Sequence, residues 1–164
     1  MLLYPKVYLN NVREITMDLL EKNHIKGLIL DVDNTLIDYY QNLPEETFSW
    51  CQDLKEKGIK MCILSNGNKK EKVKMVADKL SLPYRNFACK PFKSGFQKAM
   101  QVLELKNTEI AVVGDQIFTD VLGANRMNMF SILVRPIEQK DIWITILKRP
   151  LENRIIRNYQ NKQK

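Results

Sequence analysis

Two aspartates one residue apart, Asp31 and Asp33, stand at the end of the apolar run Gly27-Leu-Ile-Leu. Side chains alternate faces in extended chain, so both carboxylates point to the same side. A few ångströms apart in a partly dry site, they repel each other and need a cation, a shared proton or both. The competing reading of Asp31-Val-Asp33-Asn34-Thr35-Leu36 is a helix or turn start, because Asp, Asn and Thr are common caps. An EF-hand loop also opens DxD, but its sixth position here is Leu36, not Gly, and its twelfth is Asn42, not Glu. Three later apolar runs end in polar residues too. Ser65-Asn66-Gly67 offers a hydroxyl and backbone N–H groups at a strand-to-helix turn, a phosphate cradle or a plain helix cap. Lys90-Pro91 could neutralise a phosphoryl oxygen as a point charge, or be one solvated lysine among 26 basic residues. Asp115 directly follows a buried-type run and can ligate a metal, whereas a capping role suits it poorly. Asp120, five residues on, can accept from metal-bound water, hold the lysine, or cap the next helix.

The elements needed to position these residues are legible as hydrophobic periodicity. Helices are expected over 15–23 (Thr16 as N-cap, Leu19 and Leu20 inward), 44–57 (Phe48, Cys51 and Leu54 inward), 69–80, 94–105 (capped by Ser94) and 119–128. Strands are expected over 27–31, 59–64, 86–89, 110–113 and 130–134. Strand and helix alternate with short connections. The fold class is therefore α/β: a doubly wound, Rossmann-like parallel sheet with helices on both faces. Ligands of such sheets sit beyond the carboxyl ends of the strands. That places Asp31, Asp33, Ser65, Lys90, Asp115 and Asp120 around one pocket.

The chain of 164 residues suits one domain, 1–164, with a motif core over 25–135 and a basic helical tail at about 141–164. Hydrophobic residues make up 45% and charged residues 27%, which excludes disordered and collagen-like classes. No apolar run nears the ~20 residues of a membrane span. The start MLLYPKVYLNN lacks the pattern of a secretory signal. Cys51, Cys62 and Cys89 form no CxxC pair and read as reduced, buried thiols of a cytoplasmic protein, without zinc. The net charge of +7 favours anionic partners without choosing among them.

The order DVDNTL, SN, KP, GDQIFTD resembles the haloacid-dehalogenase (HAD) superfamily of phosphohydrolases. The opening YPKVYLNNVREIT, the variant DNTL and the small size resemble the YqeG family within HAD class IIIA, which is similar to mitochondrial phosphatidylglycerophosphate phosphatases. Many superfamily members carry Gly where Asn34 stands. The resemblance implies a magnesium-dependent phosphomonoesterase. Asp31 would be the nucleophile that forms an aspartyl-phosphate, and Asp33 the general acid and then base. Mg2+ would sit on Asp31, Asp115 and the backbone carbonyl of Asp33, with Asp120 behind it. Ser65, Asn66 and Lys90 would hold the phosphoryl oxygens.

About 30 residues separate Thr35 from Ser65, and one helix and one strand use most of them, so no cap domain is expected. An open site suits a phosphorylated substrate that is large or embedded in a surface, including a phospholipid head group. Tyr39 and Tyr40 either touch the leaving group or pack on the domain. In the tail, Leu147, Leu151, Ile155 and Tyr159 recur every four residues, Pro150 could open the helix, and from Lys148 to Lys164 six basic residues stand against Glu152 alone. Such a helix either packs on the domain or lies on an anionic membrane, giving a cytoplasmic protein peripheral to the inner face. Trp143 reads as an interfacial anchor or as core. His24 reads as structural. Two other classes remain open: a receiver-like phosphate-binding regulatory module, and a basic RNA- or ribosome-associated protein. No specific nucleic-acid motif supports the latter.

Overall fold

The computed structural model describes residues 1–138 and 143–163. Residues 141–142 and Lys164 of the expected tail, and the side chain of Trp143, lie outside that description. The strands are β1 (Val7–Leu9), β2 (Gly27–Leu30), β3 (Lys60–Leu64), β4 (Tyr84–Arg85), β5 (Ile110–Gly114) and β6 (Phe130–Val134). The helices are α1 (Met17–Lys22), α2 (Glu45–Glu56), α3 (Lys70–Leu80), α4 (Lys93–Leu103), α5 (Leu122–Arg126) and α6 (Trp143–Lys162). A π-helical turn, Ile117–Val121, leads into α5. All strand pairs are parallel, in the order β1-β6-β5-β2-β3-β4. β2 is therefore central, between β5 and β3, and the residues just beyond it are flanked by the ends of both neighbours.

The pleat divides the core. Leu28, Leu30, Met61, Ile63, Ala111 and Val113 face a cluster built with α1, α2 and α3. Ile29, Cys62, Leu64, Ile110 and Val112 face Phe96, Ala99 and Leu103 of α4 and Ala124 of α5. Buried on both faces, the inner strands read as unbroken apolar runs. Helices thus cover both sides of a doubly wound sheet, as periodicity predicts. Among the described residues only α2 and β3 lie between Thr35 and Ser65, so no cap domain overlies the strand ends.

Several expectations need correction. β1 has too little periodicity to stand out and is held by pairing with β6. The strand expected at 86–89 is Tyr84–Arg85, and 86–89 turns away with left-handed backbone at Phe87 (φ 50) and Cys89 (φ 53). Cys89 is consequently exposed, unlike Cys51 and Cys62. Ser94 lies within the first turn of α4, whose N-cap is Phe92. Phe48 is exposed, and Trp50 takes its place inside, its Nε1 donating to the Ile15 carbonyl at 3.0 Å. Thr16 does cap α1, accepting from Leu19 N. Asn34 has φ 56, a conformation that Gly or Asn tolerates best. This is the physical reason those two residues can exchange there. Asn34 adds a bond that Gly lacks: its Oδ1 accepts from Glu138 N at 3.1 Å.

Candidate active site

The ladder sets the site's origin. Leu30 lies in register with Val113 of β5 and Ile63 of β3, and Asp31 N donates to Val113 O at 2.9 Å. The chain beyond β2 thus emerges between the ends of both neighbours. Asp31, Asp115 and Asp120 each offer a carboxylate oxygen within 4.8 Å of the other two. All three are under 9% exposed. The Thr35 hydroxyl bridges two of them, 3.3 Å from Asp31 Oδ2 and 3.4 Å from Asp115 Oδ1. Lys90 is 5% exposed, and its Nζ donates to Asp31 Oδ1 and Asp120 Oδ1 at 2.7 Å each. It reaches there because Asn66 grips its backbone twice: Lys90 N donates to Asn66 Oδ1, and Asn66 Nδ2 donates to Lys90 O. Ser65 is buried beside them, its Oγ accepting from Gly67 N at 3.0 Å.

Gly114 makes room for this packing. A Cβ there would lie 2.2 Å from the Asp120 carboxyl carbon. Asp120 is seated by its own turn, Gln116 N donating to its Oδ2 at 3.2 Å.

Burial pushes Asp31 up to about 7, against the pull of Lys90 and with the help of Asp120. Burial raises Asp115 well above the usual carboxylate range, Asp31 adds to this, and Arg149 opposes it. Burial alone would lower the Lys90 amine, but Asp120 and Asp31 outweigh it and hold the amine above its usual value. Three buried acids thus share few counter-charges. Their donors are all hard oxygens, a set that fits a hard divalent cation such as Mg2+.

Asp33 lies close enough to raise Asp31, but its carboxylate is outside the buried trio. It is half-exposed at the rim and ion-paired with Lys72 of α3. Asp120, not Asp33, brings the third carboxylate to the cluster with Asp31 and Asp115.

Four contributors escape the sequence reading: Thr35 as a bridge, Lys72, Arg149 and Glu152. Pro150 sits inside α6 rather than opening it. The apolar stripe divides: Ile155 and Ile156 pack against Ile117, Val121 and Leu133, while Leu147 and Leu151 are exposed. The docked face also carries polar residues. Arg149 Nη2 pairs with Asp115 Oδ2, and Arg149 Nη1 donates to the Asp115 carbonyl at 2.8 Å. Glu152 is 1% exposed and accepts from Ile117 N at 2.7 Å and Phe118 N at 3.2 Å. Only its spacing of three from Arg149 hints at this in the sequence.

A family profile described as "Mitochondrial PGP phosphatase" matches residues 1–138. "Probable phosphatase YqeG" of Bacillus subtilis (strain 168) is 37% identical over 159 residues, covering 96% of this chain and 92% of the relative. A Legionella pneumophila protein assigned to the HAD superfamily, subfamily III A, as a hydrolase is 29% identical, with a TM-score of 0.50 over 62% of each chain. An uncharacterised protein of Listeria monocytogenes serotype 4b shares the fold at 20% identity, with a TM-score of 0.57 over 71% of this chain and 85% of that one.

Proposed function

For a chain that belongs to the mitochondrial PGP phosphatase family, within HAD subfamily IIIA, we propose Mg2+-dependent phosphomonoester hydrolysis through an aspartyl-phosphate on Asp31. The observation that carries the reading is the buried trio of Asp31, Asp115 and Asp120 with Lys90 Nζ between two of its members. Asp31 and Asp115 would hold the cation, with the Asp33 carbonyl as a further oxygen donor. When bound, the cation offsets the repulsion between an anionic carboxylate and an anionic phosphate ester.

The chain's own groups do the rest. An Asp31 oxygen forms the new bond to phosphorus as the bond to the leaving oxygen breaks. Asp33, at the rim, gives that oxygen its proton. The same carboxylate then takes a proton from water, whose oxygen attacks the phosphorus and returns Asp31. Lys90 and Ser65 hold equatorial oxygens, where charge spreads in the transition state. The side chain of Asn66 serves by keeping Lys90 in place.

The substrate in this reading is a phosphate on a lipid head group. Tyr39 and Tyr40, beyond β2, are 51% and 59% exposed, and Phe87 and Phe92, around Lys90, are 61% and 62% exposed. Exposed aromatic side chains on the loops that carry the residues of an uncapped site suit a substrate presented by an interface. The outer face of α6 adds exposed Leu147 and Leu151 with Arg154 and Arg157 nearby, which suits an anionic membrane surface. No helix among the described residues is long and apolar enough to cross a membrane.

The test is a phosphate-release screen over lipid phosphates, nucleotides, sugar phosphates and phosphoproteins, with Asp31→Asn and EDTA-treated protein alongside. Lipid phosphates should turn over fastest, and both treatments should abolish release. Turnover surviving both would remove the mechanism. A long-lived phosphoprotein without turnover would favour a receiver-like module.

A further inference from the structure

We propose that Arg149 is a positioning residue for Asp115, so that α6 is a working part of the cation site; this rests on the reading of that site above. The two oxygens of Asp115 are divided. Oδ2 pairs with Arg149, while Oδ1 faces the Thr35 hydroxyl at 3.4 Å, on the side of Asp31. A guanidinium presents several donors in a rigid plane. Here one arm takes the Asp115 carboxylate and another takes the carbonyl of the same residue. The carboxylate is thereby fixed relative to its own backbone, with one defined oxygen left for a cation.

Glu152 completes the grip. Its Oε2 accepts from Arg149 Nη1 at 3.2 Å, and its Oε1 accepts from the amides of Ile117 and Phe118. One helix therefore holds the 115–118 segment at the carboxylate, the carbonyl and two amides. The side chains involved are nearly closed to solvent: 17% exposed for Arg149, 2% for Glu152 and 0% for Asp115.

A positive charge beside a ligand opposes a cation, whereas a fixed ligand orientation favours it. Glu152 decides the sign, because its carboxylate offsets the guanidinium charge while leaving the geometry intact. Outer partners of metal ligands typically contribute about 10–100-fold in metal affinity. Linkage makes the effect reciprocal: if a docked α6 tightens cation binding, the cation tightens the docking of α6 by the same factor. The family profile that matches this chain ends at residue 138, before α6 begins. Arg149 and Glu152 lie outside that matched stretch, and the segment they hold lies inside it.

The experiment uses the full chain and Mn2+ as probe, with affinity read by titration calorimetry. Wild type should bind one ion and Asp115→Asn should lose it. Arg149→Met should weaken binding about 10–100-fold. Arg149→Lys should recover part of that, and Glu152→Gln should fall between. Ile146→Ala, at an exposed position of the same helix, should bind as wild type does. In the unaltered protein, saturating Mn2+ should slow amide exchange over 145–156, a readout that depends on no variant folding. Equal or tighter binding by Arg149→Met, or exchange indifferent to Mn2+, overturns the inference and leaves the cation site standing. Mn2+ affinity that is the same for wild type and Asp115→Asn sinks the site reading itself, and this inference with it.

Discussion

The strand-end cluster and α6 both bring opposite charges together, yet they do it on different terms. At the strand ends Asp31, Lys90, Asp115 and Asp120 are all buried, and each is placed by the end of a strand or by the turn that follows one. Of the charged residues described on α6, Arg149 and Glu152 turn into the protein, while Arg154 and Arg157 stay in solvent. The contrast teaches that location, not charge count, decides what an ionic group does. A solvated charge is nearly neutral to stability, whereas a buried one must be matched or the fold suffers.

The largest effect expected from this contrast is at the centre. Lys90→Met leaves Asp31 and Asp120 buried without their shared cation and should cost about 3–5 kcal/mol, read from urea unfolding. Glu152→Ala should follow at about 2–3 kcal/mol, since it orphans two amides and the Arg149 guanidinium. If it proves silent, α6 belongs with the solvated charges after all. Gly114→Ala should cost about 1–3 kcal/mol by overpacking. It should also weaken Mn2+ binding by driving Asp120 from its place, a loss that calorimetry would detect.

Acidity sharpens the comparison. Asp31 holds its proton up to about pH 7, and Asp115 holds its own well above the usual range. A cation must displace those protons at low pH and finds the carboxylates increasingly free as pH rises. Its affinity should therefore climb between pH 6 and 8, by up to about tenfold per unit for each proton released. A flat profile would mean that Asp31 and Asp115 are already ionised. The smallest effect belongs to Arg154→Ala, which should shift unfolding by less than about 0.5 kcal/mol.

The sequence exposes the site unevenly, for physical reasons. Asp31, Ser65 and Asp115 follow apolar runs long enough to be read as buried strands, so their shared end of the sheet can be inferred from the sequence, whereas Lys90 follows the short run 86–89, expected as a strand and found as a turn. Thr35 lies inside the same motif, but its bridging role depends on a side-chain angle that no spacing encodes. Lys72 and Arg149 are two basic residues among 26, and burial alone distinguishes them. The tail misleads because periodicity assumes that the inward face is the apolar one. Here Thr145, Glu152 and the half-buried Arg149 face inward, and Leu147 and Leu151 face out. β1 and β4 are three and two residues long, too short for a period of two to register.

The turn that carries Cys89 outward has a practical consequence. Burial lifts the Cys51 thiol to about 11 and the Cys62 thiol to about 12, so neither offers appreciable thiolate at neutral pH. Cys89 alone of the three is open to reagents, and it is the residue next to Lys90. A maleimide fluorophore added to the unaltered polypeptide would attach one residue from Lys90, giving a reporter of occupancy without any engineered handle.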